Sequence, residues 1–170
     1  MTLYYDVVET PLGWMGILAS ATGIRRTTLP QTSPEECVAL LGNEAADARL
    51  APERFEDLAD LLTLYFEGEP VTFDGHPIDV DDASAFLQAA WRACRSIPFG
   101  ETRSYSWLAA QAGSPRAARA AGQSMARNRL AIIVPCHRIV TSDGGLGGFG
   151  KDANELGLKQ TLLDLEAGKP

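Results

Sequence analysis

The sequence predicts a two-part α/β protein, with an antiparallel sheet and helices in residues 1–80 and a mainly helical domain in residues 81–170. β-Branched, aromatic and apolar residues crowd positions 4–29 between turn-forming pairs, which is typical of short antiparallel strands. Apolar residues recur at helical spacing through most of the second part. Charge and composition change near residue 80, after an acidic stretch with Gly75 and Pro77, and this change indicates the domain boundary.

Local signals predict each element of the first part. Two or three strands are expected in residues 4–29, separated by glycine-containing turns. Ser33, followed by a proline and two acids, is a helix N-cap and predicts a helix through about Leu41. A second helix is predicted over residues 52–66, because its apolar positions fall on one face and Gly68 ends it.

The second part is predicted to contain helices over residues 84–97, 105–112, 115–125 and 156–166. Ser104 can cap the second of these helices, and Pro115 suits the first turn of the third. The short turn at Gly113-Ser114 joins the two into a helix-turn-helix. This pattern occurs in DNA-binding proteins and also in many helix pairs that bind no DNA.

Composition excludes several classes of protein. The chain has 170 residues, of which 45% are hydrophobic and 22% charged, as in ordinary soluble globular proteins. No apolar stretch approaches the roughly 18 residues of a membrane span, and the first residues lack a signal-peptide pattern, so we expect a cytoplasmic, nucleoid-associated protein. The 3 scattered cysteines and 2 histidines argue against a disulfide framework and a metal site.

Charge is distributed unevenly along the chain. Residues 1–80 hold 4 Arg and 14 Asp or Glu, whereas residues 81–170 hold 11 Lys or Arg and 8 Asp or Glu. Within residues 92–138, eight arginines accompany a single acid, Glu101. Such a segment in an acidic protein suggests a surface that faces phosphates; a solvated helical face balanced by the acidic part is the alternative.

A thiol and an imidazole follow an apolar run. Pro135-Cys136-His137-Arg138 closes the run Leu130–Val134, which we predict to be a buried strand. A neighbouring histidine or positive charge lowers the pKa of a cysteine and makes it a nucleophile. A buried, inert cysteine is the alternative, and these four residues do not decide between the two. Cys94, at an apolar position of a predicted helix, is expected in the core.

Residues 144–150, Gly-Gly-Leu-Gly-Gly-Phe-Gly, are spaced like a nucleotide-binding loop. No strand rich in Val or Ile immediately precedes these glycines, and Asp152 stands where a phosphate loop requires Ser or Thr. A flexible loop whose backbone amides reach a flat ligand is the better interpretation. No cofactor is therefore expected.

The second half carries a run of ordered motifs. They are Ile97-Pro98-Phe99-Gly100-Glu101-Thr102, Ser104-Tyr105, Ala118-Arg119-Ala120-Ala121-Gly122, Asn128, Ile133-Val134-Pro135-Cys136-His137-Arg138-Ile139-Val140 and the glycine loop. Together they resemble the O6-alkylguanine-DNA alkyltransferases, and Thr10-Pro11-Leu12-Gly13 extends the resemblance loosely into the first half. The resemblance implies a ribonuclease H-like N-terminal domain and a winged helix-turn-helix-like C-terminal domain.

The resemblance implies direct reversal of DNA damage, in which the alkyl group of O6-alkylguanine moves irreversibly to Cys136, one lesion for each protein molecule. The nucleotide must first rotate out of the duplex. His137 would activate the thiol through a water and would itself be oriented by Glu166 on the last helix. Asn128 would be a hinge that holds the active-site loop, and Tyr105 would press on the phosphodiester and help rotate the nucleotide.

The resemblance also implies a DNA surface and a lesion pocket. Arg119 would fill the space left by the extruded base, with its helix in the minor groove. The implied DNA-binding residues are Tyr105, Ser104, Arg116, Arg119, Ala120, Gly122, Arg127 and Arg129, and the implied pocket residues are Met125, Pro135, Arg138, Ile139, Phe149 and Gly150. The implied partner is double-stranded DNA, bound by a monomer; cooperative assembly and activity on O4-alkylthymine stay open, and no cofactor or metal is implied.

Some positions depart from the family pattern. Arg129 stands where proline is frequent, Phe149 where tyrosine is frequent and Gly150 where serine is frequent. We expect these changes to alter substrate range or rate and to leave the reaction itself intact. Two other classes are weighed against repair: a lesion-binding module, which would lack the cysteine, and a Cys-His hydrolase, which would turn over and would not need the arginine-rich helices.

Overall fold

The structure of the protein, a computed structural model, describes residues 1–148 and 153–169. These residues form two compact units. The first consists of Met1–Val80 and the short segment Arg129–Ile133, and the second contains Asp81–Asn128 and the described residues from Val134 onward. In the described ranges, no helix has the length and apolar character needed to cross a bilayer.

A four-stranded sheet organises the first unit. Strands β1 (Tyr4–Thr10), β2 (Gly13–Ala19) and β3 (Ile24–Thr27) pair antiparallel in sequence order, and β4 (Arg49–Leu50) pairs in parallel with β1. Most of β2, which lies between β3 and β1, is buried. The predicted antiparallel strands are confirmed.

Three helices complete the first unit: α1 (Pro34–Leu41), α2 (Asn43–Ala46) and α3 (Glu56–Phe66). The Ser33 hydroxyl accepts a hydrogen bond from the N–H of Glu36 at 3.2 Å, which is the predicted cap. Helix α3 begins at Glu56 and not at the predicted residue 52. Pro52–Arg54 forms a separate 3-10 turn, and Phe55, with its side chain in the core, takes the N-cap position.

The second unit is mainly helical, and its elements are α4 (Ala85–Arg95), β5 (Arg103–Ser104), α5 (Tyr105–Gln111), α6 (Ala118–Ala126), the 3-10 turn Cys136–Arg138, β6 (Ile139–Val140) and α7 (Ala153–Glu166). The hydroxyls of Ser84 and Ser104 cap α4 and α5 by accepting from backbone N–H groups at 3.3 and 3.0 Å. Strands β5 and β6 pair in parallel. This pairing sets the first residue of α5 beside the chain that follows the 3-10 turn.

Helix α6 begins at Ala118, so the prediction of a helix from Pro115 is wrong. Residues 114–117 form a turn in which the Ala117 N–H donates to the Ser114 carbonyl at 2.8 Å. Proline suits the second position of such a turn as well as the first turn of a helix, and the local sequence permits both.

The apolar run Leu130–Val134 is buried, but it is not a strand, contrary to the prediction. Leu130 makes an isolated bridge to Thr27, and the chain then turns at Ile132, whose φ of 71° is rare for a β-branched residue. A continuous apolar run predicts burial correctly. It carries no periodicity that distinguishes a strand from a buried turn.

Candidate active site

Cys136 opens the 3-10 turn that follows the buried run, and its side chain is half-buried. Its N–H donates to the carbonyl of Val134 at 2.8 Å. Burial raises the pKa of the Cys136 thiol, and hydrogen bonding to Asn128 and the charge of Lys159 oppose that rise without cancelling it. The resting sulfur is therefore protonated at neutral pH, and it becomes nucleophilic only when a base takes its proton.

The next residue, His137, is paired with a glutamate of the last helix. His137 Nε2 lies 2.5 Å from Oε2 of Glu166, and both side chains are buried. Burial alone would raise the pKa of the Glu166 carboxyl, but the hydrogen bonds and charges of His137 and Arg138 outweigh burial and hold that pKa at about 2. Burial lowers the pKa of His137 more than Glu166 raises it. The pair is thus a neutral imidazole donating from Nε2 to a carboxylate, with Nδ1 as the basic nitrogen.

Further donors fix the Glu166 carboxylate. Arg138 donates to it from Nε at 2.8 Å and from Nη2 at 3.2 Å, and the Gly100 N–H donates at 3.0 Å. Arg138 also donates from Nη1 to the Ile97 carbonyl at 2.6 Å. The Arg138 guanidinium, which the resemblance assigned to the lesion pocket, is therefore buried against Glu166 and helps fix the carboxylate that pairs with His137.

Asn128 holds the backbone that leads to the sulfur. Its Nδ2 donates to the Val134 carbonyl at 2.9 Å, the same oxygen that accepts the Cys136 N–H. The Val134 carbonyl therefore links the side-chain amide of Asn128 to the backbone of Cys136.

Lys159 on α7 contributes to the site although sequence reasoning assigned it no role. It is fully buried, and its Nζ donates to the carbonyls of Ile139 at 2.7 Å, Leu146, and Gly148 at 3.1 Å. Burial lowers the pKa of the ammonium to about 8, against the opposing effect of Cys136. The sequence could have indicated this role, because Lys159 lies seven residues before Glu166 and therefore on the same face of α7. A lysine on a buried helix face is almost never found without partners for its ammonium.

A cleft of about 470 Å³ has Cys136 in its wall. Its lining residues are Tyr105, Ala118, Arg119, Gly122, Gln123, Met125, Ala126, Cys136 and Gly148. Sequence reasoning missed Ala118, Gln123, Ala126 and Gly148 as lining residues. Pro135 and Ile139 are buried and are not among these lining residues, and Phe149 and Gly150 lie outside the described residues.

Tyr105 and the glycine loop meet at this cleft. The Tyr105 hydroxyl donates to the Gly148 carbonyl at 3.4 Å. Gly147 has a φ of 68°, and a Cβ on it would lie 2.7 Å from the Tyr105 hydroxyl oxygen, so only glycine fits there. Burial and the nearby sulfur raise the pKa of Tyr105, which therefore remains a hydroxyl donor.

The predicted DNA-binding residues take different places. Arg116, Arg119 and Arg127 are exposed in or beside α6, and Ala120 and Gly122 are half-buried on that helix. The Ser104 hydroxyl caps α5, whereas Arg129 belongs to the first unit and donates to the Asp79 carbonyl at 3.4 Å.

Known proteins match the chain in both parts. The family model for "6-O-methylguanine DNA methyltransferase, ribonuclease-like domain" matches residues 3–80, and that for "6-O-methylguanine DNA methyltransferase, DNA binding domain" matches residues 85–168. The fold class expected from the sequence is thereby confirmed.

Similar proteins extend the match over nearly the whole chain. A methylated-DNA–protein-cysteine methyltransferase of Methanosarcina barkeri is 34% identical over 164 residues, which are 96% of this chain and 97% of that protein. A constitutive protein of the same name from Bacillus subtilis is 37% identical over 163 residues, 96% of this chain and 94% of its own. The crystal structure of Mycobacterium tuberculosis OGT in complex with DNA covers 98% of this chain and 95% of its own, with a TM-score of 0.79 and 34% identity.

Proposed function

This chain belongs to the 6-O-methylguanine DNA methyltransferase family, and we propose that it repairs DNA by moving the alkyl group from O6 of guanine to the sulfur of Cys136. The observation that carries this assignment to Cys136 is its place in the wall of the cleft, directly followed by a buried imidazole–carboxylate pair. Cys94 is fully buried and Cys37 lies in the first unit, and neither is followed by a histidine.

The reaction needs one proton transfer and one substitution. His137 Nδ1 takes the thiol proton, directly or through a water, while Glu166 stabilises the imidazolium that forms. The thiolate of Cys136 attacks the alkyl carbon, the carbon–O6 bond breaks as the carbon–sulfur bond forms, and guanine takes up one proton to regain its N1–H form. A thioether is not readily cleaved, so each molecule reacts once.

DNA is the partner, and we propose that α5 and α6 form the surface that binds it. A lesion inside a duplex is out of reach of the sulfur, so the nucleotide must rotate into the cleft. Arg119, exposed on α6 and part of the cleft wall, would fill the vacated space, and Tyr105 would hold the rotated nucleotide. The small residues Ala118 and Gly122 permit α6 to approach a minor groove closely.

We expect the protein to act as a monomer on double-stranded DNA, in the cytoplasm at the nucleoid. Binding should depend on salt and little on sequence, because exposed arginines contact phosphates and carry no base code. Cooperative binding is testable by the steepness of the DNA-binding isotherm.

Intact-mass spectrometry tests the proposal. After mixing with a duplex that contains one O6-methylguanine, the protein should gain about 14 Da, one methyl group replacing one hydrogen, as covalent capture by a thiol requires. Cys136→Ser should abolish the gain, and the matched control Cys94→Ser should retain it. An unmodified protein, or a gain that survives Cys136→Ser, would remove the proposed role of this cysteine.

A further inference from the structure

The segment Arg129–Ile133 interrupts the second unit just before the nucleophile. The chain leaves that unit after Asn128, packs these five residues with the first unit, and returns at Val134, two residues before Cys136. Whatever fixes this segment therefore also fixes where the chain re-enters the active site.

Thr27, the last residue of β3, binds the segment through its backbone N–H and its side-chain hydroxyl. Its N–H donates to the Arg129 carbonyl at 2.9 Å, and its Oγ1 donates to the Ala131 carbonyl at 2.7 Å. Thr27 also forms the β-bridge with Leu130, and it is 5% exposed. Thr27 alone therefore holds the carbonyls of Arg129 and Ala131, one through its backbone and the other through its side chain.

The segment contains the strained residue Ile132, directly after the carbonyl that accepts from the Thr27 hydroxyl. Its φ of 71° places a β-branched side chain in the left-handed region, and the residue is 3% exposed. Such a conformation persists only where surrounding contacts over-determine it. The hydroxyl of Thr27 is one of these contacts.

Val134 directly follows the segment, and its carbonyl accepts hydrogen bonds from two groups of the active site. The Asn128 amide donates to this oxygen at 2.9 Å, and the Cys136 N–H donates to it at 2.8 Å. A shift of the segment would move this oxygen and with it the nucleophile's backbone.

We propose that Thr27 is a positioning residue for alkyl transfer, holding Arg129–Ile133 so that the Val134 carbonyl meets Asn128 and Cys136. Thr27 touches no reacting atom and acts through the backbone alone. The proposal rests on the assignment of Cys136 as alkyl acceptor.

Thr28 supplies a matched control. It follows Thr27, is 6% exposed, and its hydroxyl accepts from the Gly16 N–H at 2.9 Å and donates to Cys37 Sγ at 3.7 Å. These partners all lie in the first unit and none is in the segment. Thr28→Val therefore removes an equally buried hydroxyl without releasing the chain that leads to Cys136.

The experiment measures single-turnover capture from O6-methylguanine free base by Thr27→Val, Thr27→Ser and Thr28→Val, together with their unfolding midpoints. Thr27→Val should react about tenfold more slowly, since a small misplacement of a reacting group has effects of this size. Thr27→Ser, which keeps the hydroxyl, should restore the rate, and Thr28→Val should react at the wild-type rate despite lower stability.

A second readout separates positioning from stability. The pH at which Cys136 reacts half-maximally with iodoacetamide should rise in Thr27→Val and not in Thr28→Val, because a displaced sulfur loses its hydrogen bond from Asn128. If Thr27→Val does not fold, Thr27→Ala against Thr27→Ser makes the same comparison with smaller side chains.

Equal rates in the Thr27 and Thr28 variants, or a slow Thr27→Ser with an unchanged iodoacetamide profile, would overturn the positioning role. Failure of the wild type to capture any alkyl group would instead overturn the assignment of Cys136.

Discussion

Replacing Glu166 by glutamine removes a charge from the active site at nearly constant shape. The amide oxygen can still accept from Arg138 and from the Gly100 N–H, but the anion that fixes the hydrogen of His137 on Nε2 is lost. The pKa of Glu166 is held at about 2, against an ordinary 4.5, and this difference corresponds to about 3 kcal/mol in favour of the carboxylate. The glutamine variant lacks this electrostatic stabilisation, because it has no negative charge to interact with His137 and Arg138.

We expect Glu166→Gln to slow capture from the free base by about 10²-fold or more, the usual contribution of a positioned base. The pH dependence should change as well. In the wild type the rate should fall only below pH 6.5, because burial lowers the pKa of His137 from that value. In the variant the rate should rise with pH toward the raised pKa of Cys136, above 9.0, because thiolate must form without the base.

The same substitution should change stability in a pH-dependent way. The folded-state pKa of Glu166 lies below the unfolded value, so the wild type has this stabilisation in full above about pH 4.5 and loses it as pH falls toward 2. The variant should lack that acid-dependent loss and should be less stable at neutral pH by about 3–5 kcal/mol, because Arg138 is left buried without its anion.

Single-turnover capture followed by mass, between pH 5 and 10, measures the rate, and urea unfolding measures the stability. Glu101→Gln is the control, since it removes an exposed acid of the same unit that pairs with Arg103 at 2.9 Å. If the Glu166→Gln variant folds and captures alkyl groups at the wild-type rate and with the wild-type pH profile, the His137–Glu166 pair does not act as the base that takes the thiol proton.

Three further predictions concern residues that line the cleft or contact its lining residues. Lys159→Met should slow capture by about tenfold and lower the unfolding midpoint, because the carbonyls of Ile139, Leu146 and Gly148 lose the buried ammonium that donates to them. Gly147→Ala should slow capture more than Gly144→Ala. Both glycines have positive φ, but only at Gly147 would the new Cβ strike Tyr105. Equal effects of the two substitutions would show that backbone strain alone is responsible. Arg119→Ala should slow capture from a duplex at least about tenfold and leave capture from the free base unchanged, as a role in nucleotide extrusion requires; equal losses on both substrates would contradict that role.

The sequence predicted elements best where one residue carries the whole signal. The serine caps at Ser33 and Ser104 each show the predicted hydrogen bond, because a cap depends on neighbours three positions away. The helix predicted to begin at Pro115 begins at Ala118 instead, because a proline fits both a turn and a helix start. Long-range pairing decides between such alternatives, and it is invisible in a local pattern.

In the candidate site, too, residues with a local chemical signature could be predicted, and residues that act through distant backbone groups could not. The neighbours Cys136 and His137 could be found from their chemistry, and the resemblance supplied Glu166, whose pairing with His137 is seen at 2.5 Å. Lys159 and Thr27 were missed, because their partners are backbone carbonyls that have no residue-specific signature. The turn at Ile132 was missed for the same reason: its φ is set by contacts distant in sequence.

Stoichiometry combined with peptide mapping tests whether Cys136 accepts one methyl group and is then consumed. A large excess of duplex containing O6-methylguanine is incubated with the protein, and the repaired guanine and the modified peptide are both quantified. Repair should stop at one lesion per protein molecule, with the methyl group on Cys136 and on neither other cysteine. Continued repair beyond one equivalent, or a methyl group on Cys37 or Cys94, would contradict it.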